Sequence, residues 1–255
     1  MAIGYRGRAQ VGSGTTTATV VQANFDVAPQ SGDLLVAFAS GHGSPDAGTG
    51  SRITTPTGWT PETVTDNGDG SGFDQGSLHI FTKLWTSGDT AYTFNNPDAG
   101  GAGVTVEIIA LSGVDTTTPN AGTATTGGTG TAQTIPSVTA ADVNCWLLAA
   151  AATWGTTTAY SSTGTMTQRG TASESGGAFT RSVAATEALT ALGATGTRTF
   201  TAGAAGTYYA SAAIAIRPFV VVVPPATTPQ LGSGGTRSTL AAPTRAQLDD
   251  DLLLL

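Results

Sequence analysis

Two histidines, one cysteine and scattered carboxylates are the groups from which this chain could assemble a reactive centre. His42 lies in Gly41-His42-Gly43-Ser44-Pro45-Asp46, beside a hydroxyl and a carboxylate, so a Ser-His-Asp relay is the first chemistry to consider. Triads of that kind are normally assembled from distant segments, and no Gly-x-Ser-x-Gly elbow accompanies this one. His79 sits in the middle of a strand-like segment and reads as a packed or rim residue. No paired glutamates mark a glycosidase, and no phosphate loop is present. The expectation is a chain that is not an enzyme and has neither catalytic residues nor an organic cofactor.

For a metal, the best candidate is the loop Asp66-Asn67-Gly68-Asp69-Gly70-Ser71-Gly72-Phe73-Asp74. Asp66, Asp69 and Asp74 would offer oxygens to Ca2+, which accepts about six to eight of them at flexible spacing. The order is not that of an EF-hand and no glutamate closes it, so a solvated hairpin loop with at most weak Ca2+ binding is expected. Cys145, in the apolar run Cys145-Trp146-Leu147-Leu148-Ala149, reads as a small core residue. A single cysteine also excludes an internal disulfide and a Cys-based zinc site. For glycan contact, Trp85 and Tyr92 flank a predicted turn and are the candidates, whereas Trp59, following a Gly turn, looks like a core plug.

The elements that must position these residues are short strands. Thr and Val suit pleated surfaces, and the 35 glycines supply turns. Only 11% of the residues are charged, too few for a disordered chain. The net charge is −7 with a single lysine, Lys83, and there is no basic stripe, so direct nucleic-acid binding is not expected. No apolar run approaches the roughly 18 residues of a membrane span, and the first residues lack a signal-peptide pattern. A protein made in the cytosol, with no membrane partner, is expected.

Strand-like segments occur at 16–21, 33–40, 77–85, 104–111, 144–154, 181–188 and 208–216, each bounded by turn residues. Residues 186–192 are the least clear. The two halves of the chain repeat one order of elements. A strand opening at Leu34-Leu35-Val36-Ala37 is followed by Thr57-Gly58-Trp59-Thr60, a Gly-rich loop, the strand 77–85, Tyr92-Thr93-Phe94 and the strand 104–111. Its counterpart opens at Trp146-Leu147-Leu148-Ala149 and continues through Thr163-Gly164-Thr165-Met166, the strand 181–188, Arg198-Thr199-Phe200 and the strand 208–216. Two copies of one unit, each with an apolar face for the other to cover, predict an all-β, two-sheet sandwich of jelly-roll type over 1–218. Two separate small sandwiches are the alternative.

Residues 219–255 read as an arm. Phe219-Val220-Val221-Val222-Val223 is a β-branched strand stopped by Pro224-Pro225, and 224–243 is a Thr/Pro/Gly/Ser linker. Thr244 and Gln247 form a capping box for a short helix over 244–255, with Leu248, Leu252 and Leu255 on one face. So short a helix is marginal alone, and each leucine left wet forgoes about 1.5–3 kcal/mol. The arm is therefore expected to fasten to a neighbouring subunit. Phe219, Val221 and Val223 would add an edge strand, and Leu248, Leu252 and Leu255 would dock an apolar face. Folding back on its own sandwich is the alternative.

One resemblance can be placed on specific residues. Ser31-Gly32-Asp33-Leu34-Leu35-Val36-Ala37-Phe38, Pro56-Thr57-Gly58-Trp59-Thr60, Phe81-Thr82-Lys83 and Leu111-Ser112-Gly113-Val114-Asp115-Thr116-Thr117-Thr118-Pro119 resemble a domain found in proteins of phages of actinobacteria and similar bacteria. Such domains are similar to those of minor tail and capsid-decorating proteins. The likeness covers about residues 20 to 218 and brings no active-site residues. It implies a structural protein on the outside of a virion, assembled in the host cytoplasm, whose partners are other capsid or tail subunits and copies of itself. A host glycan- or receptor-binding module is the alternative.

Overall fold

In a computed structural model the chain divides into two compact units, Met1–Val221 and Val222–Leu255. The structure describes residues 2–43, 53–67, 75–97, 103–154, 159–174 and 180–220. Val221, Val223, the linker and the helix expected to carry Leu248, Leu252 and Leu255 lie outside the described residues.

The first half forms β1 (Gly4–Ser13), β2 (Thr17–Val21), β3 (Leu34–Gly43), β4 (Thr60–Asn67), β5 (Gln75–Leu84), β6 (Ala91–Asn95) and β7 (Val104–Ser112). The second forms β8 (Asn120–Ile135), β9 (Thr139–Ala140), β10 (Trp146–Trp154), β11 (Tyr160–Ser162), β12 (Thr167–Ser173), β13 (Arg181–Ala188), β14 (Gly193–Ala194) and β15 (Arg198–Ile216). One antiparallel sheet runs β1-β7-β3-β5-β4. The other runs β12-β13-β10-β15, with both β8 and β11 on β15. The two-sheet sandwich expected from the sequence is present, and each half supplies one whole sheet rather than interleaving its strands with the other's.

The halves match residue by residue. Leu34 pairs with Leu84 and Leu111, as Trp146 pairs with Ala188 and Ile216. The sheet orders β1-β7-β3-β5-β4 and β8-β15-β10-β13-β12 are therefore one topology used twice. In the first half β2 pairs β6 as a separate ribbon, Ala18 opposite Phe94. In the second the corresponding segments are the far ends of β8 and β15, Gln133 opposite Phe200. Strands that are separate in one copy are continuous in the other.

Alternation distributes the apolar side chains over three layers. Leu34, Val36, Phe38, Leu78, Ile80, Ile109 and Leu111 face Leu148, Ala150, Ala152, Trp154, Ala184, Ile214 and Ile216 between the sheets. Phe38 in the first sheet has Ala150 as its counterpart in the second, and both are fully buried. Leu35, Ala37, Phe81 and Ile108 point the other way and are covered by Val20, Phe25, Trp59, Tyr92 and Phe94. On the outer face of the second sheet, Leu147, Ala149, Val183 and Cys145 are covered by Ile135, Tyr160, Met166 and Phe200. Both main sheets are thus buried on both faces. That is why Ala149-Ala150-Ala151-Ala152, good helix formers, are held as strand.

The sheets close on each other along both edges. At one edge the Thr171 amide of β12 donates to Gln10 Oε1 of β1 at 3.3 Å. There Gly12 runs so close to β12 that a Cβ on it would lie 1.8 Å from the Ser173 carbonyl oxygen. At the other edge β4 meets β8, where Asn120 Nδ2 donates to Glu62 Oε2 at 2.5 Å. Since β1 corresponds to β8 and β4 to β12, the two seams are the same contact made twice, as in an isologous two-fold interface.

Candidate functional site

The structure puts the sequence-derived chemistry candidates to structural use. His42 ends up buried near the end of β3, where its backbone carbonyl accepts from Asn96 Nδ2 at 2.8 Å. Ser44 and Asp46, its proposed relay partners, lie outside the described residues. His79, in β5, is buried and stacks on Phe81 with ring centroids 5.5 Å apart. Its Nε2 accepts from the Ile53 amide at 3.1 Å and lies 3.1 Å from Ser77 Oγ, which places the imidazole proton on Nδ1. It pins the segment that enters at Ile53 to the sheet.

Asp66 is in β4 opposite Ser77, while Asp69 and Asp74 lie outside the described residues. Among the described residues no three His, Cys, Asp or Glu side chains converge as a ligand set. Asp33 is tied to Arg6 Nε at 2.9 Å and to the Gln30 amide at 2.8 Å. Glu107 is fully buried between the sheets and accepts from Ser182 Oγ at 2.9 Å. Desolvation pushes its carboxyl up to about 7, against the lowering effect of the Ser182 hydrogen bond and the Arg8 charge.

Of the two residues proposed for glycan contact, Trp85 is half-buried and packs against the outer core of the first sheet. Tyr92 is not on the surface as its place beside a turn suggested: it is 6% exposed, with its ring edge-on to Trp59 at 5.2 Å. The alternation of β6 accounts for this. Tyr92 and Phe94 face the core, and Ala91, Thr93 and Asn95 face out. Trp59 is the core plug that its Gly turn implied.

Among the described residues a large apolar opening lies at the end of the sandwich where the chain leaves it. It is a cleft of about 820 Å³ lined by Ala2 and Ile3, Val143, Asn144 and Trp146, Ala188 to Thr190, and Pro218 to Val220. Phe219 is 46% and Val220 66% exposed. β15 stops at Ile216, and the chain is then held by a Val114–Pro218 bridge and by the Phe219 amide donating to the Gly113 carbonyl at 2.9 Å. Phe219 therefore pairs with its own body rather than opening a new edge strand at its amide. Its side chain is displayed beside the cleft. The sequence pointed to Phe219 through its β-branched neighbours, but gave no sign of Val143 and Leu189, which join it only through the fold. This opening offers shape and apolar surface, not reactive groups.

Set against family models, curated proteins and solved structures, the chain matches none of them.

Proposed function

We propose that the chain is a structural subunit on the exterior of a phage particle, a capsid decoration or minor tail protein, and that residues 219–255 anchor it there. The observation that carries the reading is the exit of the chain. Phe219 and Val220 stand exposed beside an apolar cleft, and the sequence continues into Val221-Val222-Val223 and, further on, the leucine face of 244–255. Exposed apolar surface where the chain leaves its body, followed in sequence by a β-branched run and, beyond a Thr/Pro/Gly/Ser linker, by leucines, fits a contact made with another subunit. The engagement of His79, Asp33 and Glu107 in holding strands together supports a structural rather than a chemical role. So does the resemblance of 31–38, 56–60, 81–83 and 111–119 to phage virion domains.

The test is a chain ending at Pro224, produced during infection by the phage that encodes it, beside the full chain. The full chain is expected in purified particles. The shortened one is expected to fold with an unchanged Tm yet to be missing from them. Full occupancy by the shortened chain would remove the arm from the argument, and absence of the full chain from particles would remove the particle.

A further inference from the structure

The duplicated fold contains its own control for one buried carboxylate. Glu107 on β7 and Ala212 on β15 are counterparts, each beside one of the two seams. Around Glu107 stand Arg8 and Gln10 of β1, Gly170 and Ala172 of β12, and Ser182 of β13. Register gives their counterparts at the other seam as Thr123, Thr125, Thr63, Thr65 and Leu78, none of which carries a charge. The carboxylate that the other seam does contain, Glu62, is only partly buried, and it accepts from Thr82 Oγ1 and Asn120 Nδ2.

Glu107 is 2% exposed and spans the space between the sheets to reach Ser182. Arg8 is the cation that faces it, and Arg8 is engaged elsewhere: Nη1 donates to Gln10 Oε1 at 3.0 Å, and Nε lies 3.7 Å from Asp26 Oδ2. Arg169 of β12 is turned to Tyr5 and Thr186. Glu174 and His42 sit further along the layer, beside Gly103. Phe38 of β3 and Ala184 of β13 bring no charge. Tyr160, in the outer layer of the second half, also feels the charge of Glu107, and burial holds its hydroxyl neutral. An ionised Glu107 would therefore be a buried charge with no cation committed to it, which weakens whatever buries it.

From this we infer that the seam between β1 and β12 is a pH-sensitive latch: ionisation of Glu107 opens it, while the seam between β4 and β8 stays closed. With the seam shut, burial holds the carboxyl proton up to about pH 7. With the seam open the carboxyl meets water and returns to its ordinary 4.5. Opening thus releases a proton, and between these values each pH unit favours the open seam about tenfold. Below about pH 4.5 the carboxyl is neutral in both states and the latch is shut. The two edges can part without unfolding the body, because β1 keeps its pairing with β7 and β12 its pairing with β13. The inference does not depend on the particle reading.

The test is hydrogen exchange of the full chain at about pH 5 and about pH 8, read by mass spectrometry and corrected for intrinsic rates. The time window is one in which β3 and β10 stay protected, so that only opening short of global unfolding is seen. Protection of 4–13 and 167–173 should fall about tenfold or more between the two pH values. The second segment includes the Thr171 amide, which crosses the seam to Gln10 Oε1. Protection of 60–67 and 120–126, at the other seam, should not change. Glu107→Gln should abolish the fall. Ala212→Glu puts a carboxyl at the other seam and should bring the pH dependence to 60–67 and 120–126. Thermal melts check that both variants fold, and Glu107→Gln alone decides if Ala212→Glu does not. Equal loss at both seams, no loss at either, or a loss that persists in Glu107→Gln overturns the inference.

Discussion

Glu62 and Arg169 occupy the same β-bulge in the two halves of the body, with opposite charge. In β4 the register slips between Pro61 and Thr63, and in β12 between Gln168 and Gly170, so each is the extra residue. Each turns to the corresponding threonine of the next strand: Thr82 Oγ1 donates to Glu62 Oε1 at 2.5 Å, and Arg169 Nε donates to Thr186 Oγ1 at 2.7 Å. Each then reaches across its seam to corresponding positions, Glu62 to Asn120 and Arg169 to the ring of Tyr5, 4.1 Å from its centroid. The bulge re-aims one side chain to lock the sheets together, and the duplication has kept the device while reversing its charge.

Because β1 and β4 are opposite edges of a five-stranded sheet, the two locks are roughly 19 Å apart at about 4.8 Å per strand. Glu62→Ala and Arg169→Ala should each cost about 1–2 kcal/mol in urea unfolding, and the double variant should match their sum within about 0.5 kcal/mol. A double variant far worse than the sum would mean that the seams do not act independently.

Asn144 is the one described non-glycine residue with positive φ, at 60°, and its counterpart in the first half is Gly32, at 87°. Both stand two residues before the opening of the central strand, where the chain must turn into the sheet. Asn144→Gly should therefore be close to neutral in thermal melts, while Asn144→Val should cost about 1–2 kcal/mol, since a β-branched residue resists the left-handed region.

The strands that could be read from the sequence are those with bulky residues on both faces, such as Leu78-His79-Ile80-Phe81, because central strands buried twice advertise themselves. The edges β1, β4, β8 and β12 were not legible. β8 carries Gly127, Gly128 and Gly130 and resembles a loop, yet it is held along its length by β15, and Gly128 lies against Tyr209 where a Cβ would come within 2.9 Å of the hydroxyl. Long-range pairing there outweighs local preference. The duplication was legible because the segments around Leu34, Gly58, Ile80, Phe94 and Ile108 recur in the same order around Trp146, Gly164, Ala184, Phe200 and Ala212. The inward face of Tyr92 was not: the turn beside it pointed outward, and only the alternation of β6 turns its ring to the core.

Trp154 lies across Gly76 of the opposing half, and a Cβ at Gly76 would come 2.0 Å from a ring carbon of the buried indole. Gly76→Ala should cost about 3 kcal/mol, at the upper end for overpacking. Trp154→Phe loses area but no hydrogen bond, because the indole Nε1 has no partner. The double variant should recover at least about 1 kcal/mol of the summed cost in a mutant cycle, since the smaller ring vacates the space the methyl needs. Strict additivity would show that Gly76 is required for its backbone and not for the ring above it.

Glu107 makes stability depend on pH in a direction opposite to that of most carboxylates. Its counterpart is Ala212, so the fold has no need of a charge at this position. Burial lifts its carboxyl from an ordinary 4.5 to about 7, so the folded state holds a proton that the unfolded chain releases. Stability from this group is therefore complete below about pH 4.5, falls as pH rises, and is lost above about 7, a swing on the order of 3 kcal/mol. Arg8 and Gln10 stand close to the same spot, since a Cβ on Gly170 would come 2.7 Å from Glu107 Oε2, 2.8 Å from Arg8 Nη1 and 2.9 Å from Gln10 Oε1. Glu107→Gln keeps the shape and removes the titration. In urea melts it should equal the wild type near pH 4.5, exceed it at pH 8, and flatten the decline between. A variant less stable than the wild type at pH 8 would mean that the pairing of the ionised carboxylate with Arg8 outweighs its desolvation, and that the seam is held by charge rather than burdened by it.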